Sequence, residues 1–305
     1  MPDYPDTVKL VEVGPRDGLQ GEPVVVDAAT KIELIDRLSA TGLRVIEATS
    51  FVHPGWIPQL ADAEAVWRGI RRRDGVAYPV LVPNMEGLER ARAVGVEQIA
   101  VFTAVSETFC RKNLNCSIAE SLDRYEPVIT TARHAGIEVR VYLSCVLGCP
   151  YEGPVALQRV VELAQHFSGA GCYEISLGDT IGCGTPLQAR RMVATVAEAV
   201  PIQQLALHFH DTRGQALANI LACLELGVSV VDAAVGGLGG CPYARGAAGN
   251  VATEDLVYML DGMGIGTDVD LAQLIETGQF ITRRLGRDNR SRVGMAGVPE
   301  HVAVA

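Results

Sequence analysis

The chain has 305 residues, 48% hydrophobic and 20% charged, with 32 glycines and a net charge of −10. That composition is globular and the length is ample for a large core, while the acidic balance argues against a nucleic-acid partner, which calls for a basic surface. No apolar run is long enough to span a membrane, and the opening MPDYPDTVKL has neither a signal-peptide apolar core nor an Arg-rich transit pattern. The eight cysteines are scattered without C-x-x-C spacing, so no zinc or redox motif stands out. Unpaired thiols without a secretion signal are expected in a reducing compartment, which here means a cytoplasmic protein.

Short strand-like runs alternate with amphipathic segments. Strands are expected at 8–13, 45–48, 78–82, 99–103, 139–144, 173–177, 205–209 and 230–235. The intervening segments include AATKIELIDRLSATG, MEGLERARAVG and LQRVVELAQHFSGAG. Each ends in glycine just before the next strand, the usual helix stop. Alternation of this kind predicts a parallel sheet with helices outside it. Eight units without a break in composition predict one α/β domain over 1–305, a closed (β/α)8 TIM barrel at about 8–268 with an extra C-terminal helix at 269–285. An open doubly wound sheet is the competing architecture. It would carry a Gly-rich phosphate turn after the first strand, and GPRDGLQ is not G-x-G-x-x-G. From 286 onward the chain is rich in Arg and Gly and predicts a poorly ordered tail.

Active sites of such barrels lie where the strands end at their C-terminal side. The polar residues expected there are Arg16, Asp17 and Gln20 after the first strand, and Glu47, Thr49 and Ser50 with the second. Ser106, Glu107 and Asn113 follow the fourth, and Arg140, Tyr142 and Ser144 belong to the fifth. Glu174, Ser176, Asp179 and Thr180 come from the sixth, His208 and His210 from the seventh, and Cys241 and Asn250 follow the eighth. A barrel end with only a structural role needs no such convergence of acids, imidazoles and a thiol. Gln20, Ser50, Asn113, Tyr142, Ser176 and Thr180 are the candidate substrate contacts.

The stretch LALHFHD at 205–211 delivers two histidines two apart on a strand, so both face one space. Neutral imidazole is a common metal ligand, although an isolated H-x-H equally suits two hydrogen-bonded histidines. With Asp17 and Asn250 the set offers a carboxylate oxygen, two imidazole nitrogens and an amide oxygen. Without thiolate, it suits Mg²⁺ or Mn²⁺, and Zn²⁺ or Co²⁺ also bind such donors. Asn250 equally suits a helix entry ahead of Thr253, Glu254 and Asp255, which read as an N-cap and acidic first turn.

Arg16 presents a fixed fork of donors and suits stabilisation of a developing enolate or carboxylate oxygen. The plain alternative is a salt bridge to Glu12 or Glu47, and a mixed role has Glu47 holding Arg16 in place. Glu12 and Glu174 lie inside strands, need partners if buried, and are expected to support the site. The run 236–250 holds six glycines around Cys241. Such a loop can close over a substrate, and a thiol facing a cation can exchange protons. A buried small cysteine is the better reading for Cys145, Cys172 and Cys223. No role is assigned to Cys110, Cys116, Cys149 or Cys183.

RDGLQ at 16–20, IEATSFVHPGWIPQ at 46–59, NLNCS at 113–117, SCVLGCPYEG at 144–153, YEISLGDTIGCGTP at 173–186, HFHDTRGQALAN at 208–219 and GGLGGCPYARGAAGNVATEDLVYML at 236–260 together carry a resemblance. The chain resembles the 3-hydroxy-3-methylglutaryl-CoA lyase family of the DRE-TIM metallolyases over most of its length. RDG with H-x-H marks the superfamily; the Cys-bearing glycine loop marks lyases over synthases. The resemblance places metal ligands at Asp17, His208, His210 and Asn250. It places the catalytic arginine and cysteine at Arg16 and Cys241, with supporting acids at Glu47 and Asp179. The chain departs from the pattern at Pro23, where relatives carry a basic residue, at His53, and in the tail sequence LGRDN.

The implied reaction is a metal-dependent retro-Claisen cleavage of an acyl-CoA, giving acetoacetate and acetyl-CoA, a step of leucine breakdown and ketone-body formation. The substrate's tertiary hydroxyl loses its proton to His208, Asp17 or a metal-bound water, Arg16 stabilises the enolate, and Cys241 protonates its carbon. The expected partner is the acyl-CoA, with no nucleic acid and no membrane, and a homodimer is an admissible assembly. Three alternatives use the same motifs. They are a lyase for a longer 3-hydroxy-3-alkylglutaryl-CoA, a Claisen-condensing synthase, which would carry an added C-terminal domain, and a non-enzymatic barrel that binds CoA esters.

Overall fold

Nine strands of the described residues pair in parallel in one sheet, in the order β2-β1-β9-β8-β7-β6-β5-β4-β3. They are β1 (Lys9–Glu12), β2 (Val45–Ile46), β3 (Thr49–Ser50), β4 (Val80–Leu81), β5 (Gln98–Ala104), β6 (Glu138–Ser144), β7 (Glu174–Asp179), β8 (Leu205–Phe209) and β9 (Val230–Ala233). The structure is a computed structural model that describes residues 4–240 and 248–297.

The two ends of that order are consecutive in the chain. Val45 pairs with Val11, and Thr49 pairs with Val80. Between them the Glu47 N–H donates to the Glu12 carbonyl at 2.9 Å and the Ala48 N–H to the Pro79 carbonyl at 3.0 Å. One stretch, 45–50, therefore bonds to both ends of the sheet and closes it. The result is the expected eight-membered barrel, with one member split into β2 and β3. The third expected strand, 78–82, is regular only at Val80–Leu81. Pro79 has no N–H to give to a ladder.

Strands of a parallel barrel wrapped in helices are buried on both faces and largely apolar; all five residues of β8 are buried, and the polar ones inside such strands are paired. The helices present one apolar stripe each. Ala28–Leu38 buries Leu34, Ile35 and Leu38, and the Asp27 side chain caps it by accepting the Thr30 N–H at 2.7 Å. The chain then turns at Gly42 with φ +98°, where a Cβ would lie 2.0 Å from the Asp268 carbonyl oxygen. Only glycine fits there. No helix among the described residues is long and apolar enough to cross a membrane.

The extra C-terminal helix forms at Leu271–Leu285, capped by Asp270 and stopped by Gly286 at φ +65°. The expectation of a poorly ordered tail after it is corrected as far as residue 297. Arg292–Ala296 is a further short helix, capped by the Ser291 hydroxyl. Asp255 accepts from the Ser291 hydroxyl at 2.7 Å and from the Val293 N–H at 2.8 Å. Its partner lies 36 residues away in sequence, so no local pattern announces the docking.

Candidate active site

At the end of β1 the chain makes a π-helical turn, Gly14–Gly18, in which the Gly18 N–H reaches back to the Val13 carbonyl at 3.1 Å. The turn carries Arg16 and Asp17 to the barrel mouth. Glu12 anchors it from below, accepting from the N–H groups of Gly14 (2.8 Å) and Val235 (2.9 Å) and from the Thr253 hydroxyl (2.6 Å). Burial outweighs these bonds and pushes the Glu12 carboxyl up to about 7.

His208 is the fourth residue of β8, and His210 follows just beyond the strand's end at Phe209. Both imidazoles line one cavity of about 790 Å³ together with Arg16, Asp17, Asn250 and Tyr142. The ligand-bearing atoms of Asp17, His208 and His210 all lie within 4.8 Å of one another; the Asp17 Oδ2 is 3.9 Å from the His208 Nε2. Asn250 arrives from the far side of the glycine loop. A backbone bridge ties it to His210, and the Val251 N–H donates to the Phe209 carbonyl at 3.3 Å. Its amide Nδ2 donates to Asp17 Oδ2 at 2.8 Å and to the Leu238 carbonyl at 3.3 Å. Asn250 is thus not a helix cap. The helix Thr253–Gly262 starts after Ala252 without a side-chain cap, and Thr253, Glu254 and Asp255 bond to Glu12, Gly236 and the tail.

The electrostatics suit a cation. Burial raises the Asp17 carboxyl, but the nearby Arg16 guanidinium, with His208 and His210, outweighs it and holds the carboxyl well below the usual range. Burial, aided by His208, lowers His210 to about 4, so this imidazole is neutral at physiological pH. Its Nδ1 is buried with no hydrogen-bond partner among the described residues. An orphaned ring nitrogen is costly unless something takes its lone pair. The residues present fit a divalent ion.

Arg16 is held from two sides. Its Nε donates to Glu47 Oε2 at 2.7 Å and its Nη1 to Asp17 Oδ1 at 2.8 Å. The guanidinium lies 5.3 Å from the centre of the Tyr142 ring. Glu47 is fully buried and does not line the cavity. Burial raises its pKa against the opposing pull of Arg16.

A second ion-pair network lies beneath the first; Arg140, Glu174, Ser176 and His208 are singled out by sequence, but Asp232 at its centre is missed. Asp232, on β9, accepts from Arg140, from the Ser176 hydroxyl at 2.8 Å and lies 3.1 Å from His208 Nδ1. Burial opposes its ionisation, but Arg140 and His208 bring it down to about 2. An ionised Asp232 on Nδ1 fixes the ring of His208 and leaves Nε2 as the donor atom toward Asp17, the second-sphere arrangement common to metal-bound imidazoles. Glu174 supports Arg140 at 2.6 Å and also bonds to Lys9. The only sequence signal was an acid inside the apolar run VVDAAV.

The other expected residues divide. Gln20, Asn113, Tyr142 and Thr180 line the cavity. Thr180 accepts from the Cys145 N–H at 2.9 Å, and Asn113 donates to the Phe109 carbonyl at 3.1 Å. Ser50, Ser176 and Asp179 do not line it. Ser176 faces the barrel interior, but one layer down, on Asp232. Asp179 lies between Gly178 and Thr180, both of which line the cavity, so alternation turns its side chain away. There it accepts from the N–H groups of Cys183 (3.0 Å) and Gly184 (2.8 Å) and shapes the loop after β7. Ser50 is buried and accepts from the Val52 N–H. Cys241 lies outside the described residues; Gly239 and Gly240, just before it, line the cavity. Cys145, Cys172 and Cys223 are buried, as expected.

A family model described as HMGL-like matches residues 7–281. The chain is 57% identical, over 97% of its length and 86% of the relative's, to the cytoplasmic 3-hydroxy-3-methylglutaryl-CoA lyase of Mus musculus. It is 58% identical, over 96% and 98%, to the mitochondrial hydroxymethylglutaryl-CoA lyase of Gallus gallus. The crystal structure of hydroxymethylglutaryl-CoA lyase from Pseudomonas aeruginosa superposes with a TM-score of 0.94 at 53% identity, covering 96% of this chain and 98% of that one. With the barrel closed, the arginine and aspartate on its first turn and the paired histidines facing them, the chain belongs to the HMGL-like family.

Proposed function

We propose that the chain cleaves 3-hydroxy-3-methylglutaryl-CoA to acetoacetate and acetyl-CoA, and that it does so with Mg²⁺ or Mn²⁺. The observation that carries this reading is the meeting of Asp17, His208 and His210 beside Arg16 in one cavity. The Mus musculus and Gallus gallus relatives, matched over 86% and 98% of their lengths, are named as lyases for this substrate.

Asp17, His208, His210 and Asn250 would hold the ion, whose Lewis acidity makes a chelated hydroxyl easier to deprotonate. Oxygen and imidazole donors without thiolate favour a hard or borderline cation. The residues then divide the work. The tertiary hydroxyl gives its proton to a base in the triad, for which His208, oriented by Asp232, and Asp17 are the candidates. The oxygen closes to a ketone as the bond between C2 and C3 breaks, releasing acetoacetate. The bonding pair passes into the thioester as an enolate. Arg16, pinned by Glu47 and Asp17, presents its charge to that oxygen. The Cys241 thiol delivers a proton to C2, which completes acetyl-CoA.

The acyl-CoA is the proposed partner, and the cytoplasm the proposed location. All seven described cysteines are unpaired thiols, as a reducing compartment keeps them.

Chelation tests the metal. Protein stripped until elemental analysis finds no divalent ion is expected to lose turnover and to regain it with Mg²⁺ or Mn²⁺. Full turnover by the stripped protein would remove the ion from the reaction.

A further inference from the structure

The segment after Gly286 returns to the barrel mouth and grips the near end of the glycine loop. Glu22 is almost wholly buried, with its side chain 3% exposed. Its Oε1 accepts the Gly239 N–H at 3.1 Å, and Arg287 meets the same carboxylate through Nε at 3.1 Å and Nη2 at 2.9 Å. Arg287 also reaches the Gly237 carbonyl at 3.4 Å. Arg290 adds a bond from Nη1 to the Gly239 carbonyl at 2.6 Å and one from its backbone N–H to the Gly236 carbonyl at 3.2 Å. Four backbone groups of residues 236–239 are thus held by side and main chains from 22, 287 and 290.

What these bonds hold leads directly to the site. The Leu238 carbonyl accepts the Asn250 amide. Gly239 sits at φ +91°, and a Cβ there would lie 3.1 Å from Asn250 Nδ2. On the other side, the Leu238 side chain packs on Gly18, where an added Cβ would fall 2.6 Å from Leu238 Cβ. Leu238–Gly239 is therefore wedged between the turn that carries Asp17 and the amide of Asn250. A displacement of this pair alters the two groups together.

We infer that Glu22 and Arg287 form a clamp that positions Leu238–Gly240 and, through them, Asn250 against Asp17. The C-terminal segment is then part of the working site, and Arg287 is a positioning residue for it. The inference rests on the proposed role of Asn250 as a metal ligand. A buried ion pair gives little net stability over a well-packed apolar pair of the same size, but its fixed fork geometry can hold one backbone arrangement. A staple that only kept the tail in place would need no carboxylate shared with the Gly239 N–H.

The test measures Mn²⁺ dissociation by electron paramagnetic resonance in substrate-free protein, beside thermal melting and kcat and KM. Four variants are compared: Asn250→Ala, Arg287→Lys, Arg287→Gln and the double change Glu22→Gln with Arg287→Met. The double change leaves no orphaned charge, so it keeps the test open if Arg287→Gln folds poorly. Arg287→Gln and the double variant are expected to bind Mn²⁺ on the order of 10-fold more weakly, the usual loss when a group orienting a ligand is removed. Arg287→Lys should recover part of that loss, and kcat should fall more than KM rises. A folded double variant that keeps Mn²⁺ affinity within about twofold, against a clear loss in Asn250→Ala, would show a merely structural tie and overturn the clamp. Unchanged affinity in Asn250→Ala would instead remove the ligand assignment, and the clamp's purpose with it.

Discussion

Cys241→Ser is expected to lower turnover roughly 10²–10⁴-fold while the protein still folds, binds metal and binds acyl-CoA, the cost of losing a positioned acid. Serine keeps the volume and a hydroxyl. Its proton, however, is far less acidic than that of a thiol, whose unperturbed pKa is about 8.5. An enolate carbon in a closed site needs a proton from a group that can release it. The residues just before Cys241, Gly239 and Gly240, line the cavity that holds Arg16 and the triad, so the loop starts at the reacting space. The seven described cysteines include six that are buried, and burial pushes the thiols of Cys145, Cys172 and Cys223 upward. Raised, buried thiols react slowly. Alkylation should therefore fall mainly on Cys241, inactivate the wild type, and be slowed by a bound substrate analogue. Wild-type turnover in the serine variant would mean that the proton comes from elsewhere in the triad.

Arg16→Gln should reduce kcat on the order of 10²–10³-fold, the size of effect seen when one donor to a developing oxyanion is lost. Glutamine can still donate a hydrogen bond but carries no charge. Mn²⁺ binding should change little, because Asp17 keeps its bond to Asn250 and its imidazole neighbours. The change has a second consequence in the fold. Glu47 is fully buried, and Arg16 is the larger of the two cations, with Arg140, that offset its burial. Without Arg16 its pKa rises further, and the fold loses a buried ion pair. The measurement is a split of kcat from KM at saturating metal. A change confined to KM would make Arg16 a binding group rather than a stabiliser of the enolate.

The barrel was legible because most strands are short, largely apolar runs and several helical segments stop at a glycine just before the next strand. These signals are local. Closure of the sheet is not: it depends on one stretch, 45–50, bonding to Glu12 on one side and Pro79 on the other. The tail was misread for the same reason, since Ser291 finds its partner in Asp255 and Arg287 finds Glu22, 265 positions away.

The residues at the mouth were legible as chemistry, because imidazoles, an aspartate and an arginine at strand ends have few structural uses. Their supports were harder to see. Asp232 and Arg140 sit inside apolar strands and point into the barrel beneath the mouth, so sequence gives their presence but not their depth. Ser176 and Asp179 show the converse. Both lie on β7, Ser176 midway and Asp179 at its end, yet one faces the lower layer and the other turns toward a loop. A shift of one residue along a strand changes the face a side chain occupies, and a strand's exact phase at the mouth emerges only when the sheet is closed.

The most direct measurement incubates the purified, Mg²⁺- or Mn²⁺-loaded protein with 3-hydroxy-3-methylglutaryl-CoA, alongside a homologue of that substrate with a longer 3-alkyl group, and quantifies both products. The account predicts that acetoacetate and acetyl-CoA appear in equal amounts as 3-hydroxy-3-methylglutaryl-CoA disappears. Folded, metal-loaded protein that leaves that substrate intact would contradict it, whether it consumed the longer homologue or nothing at all.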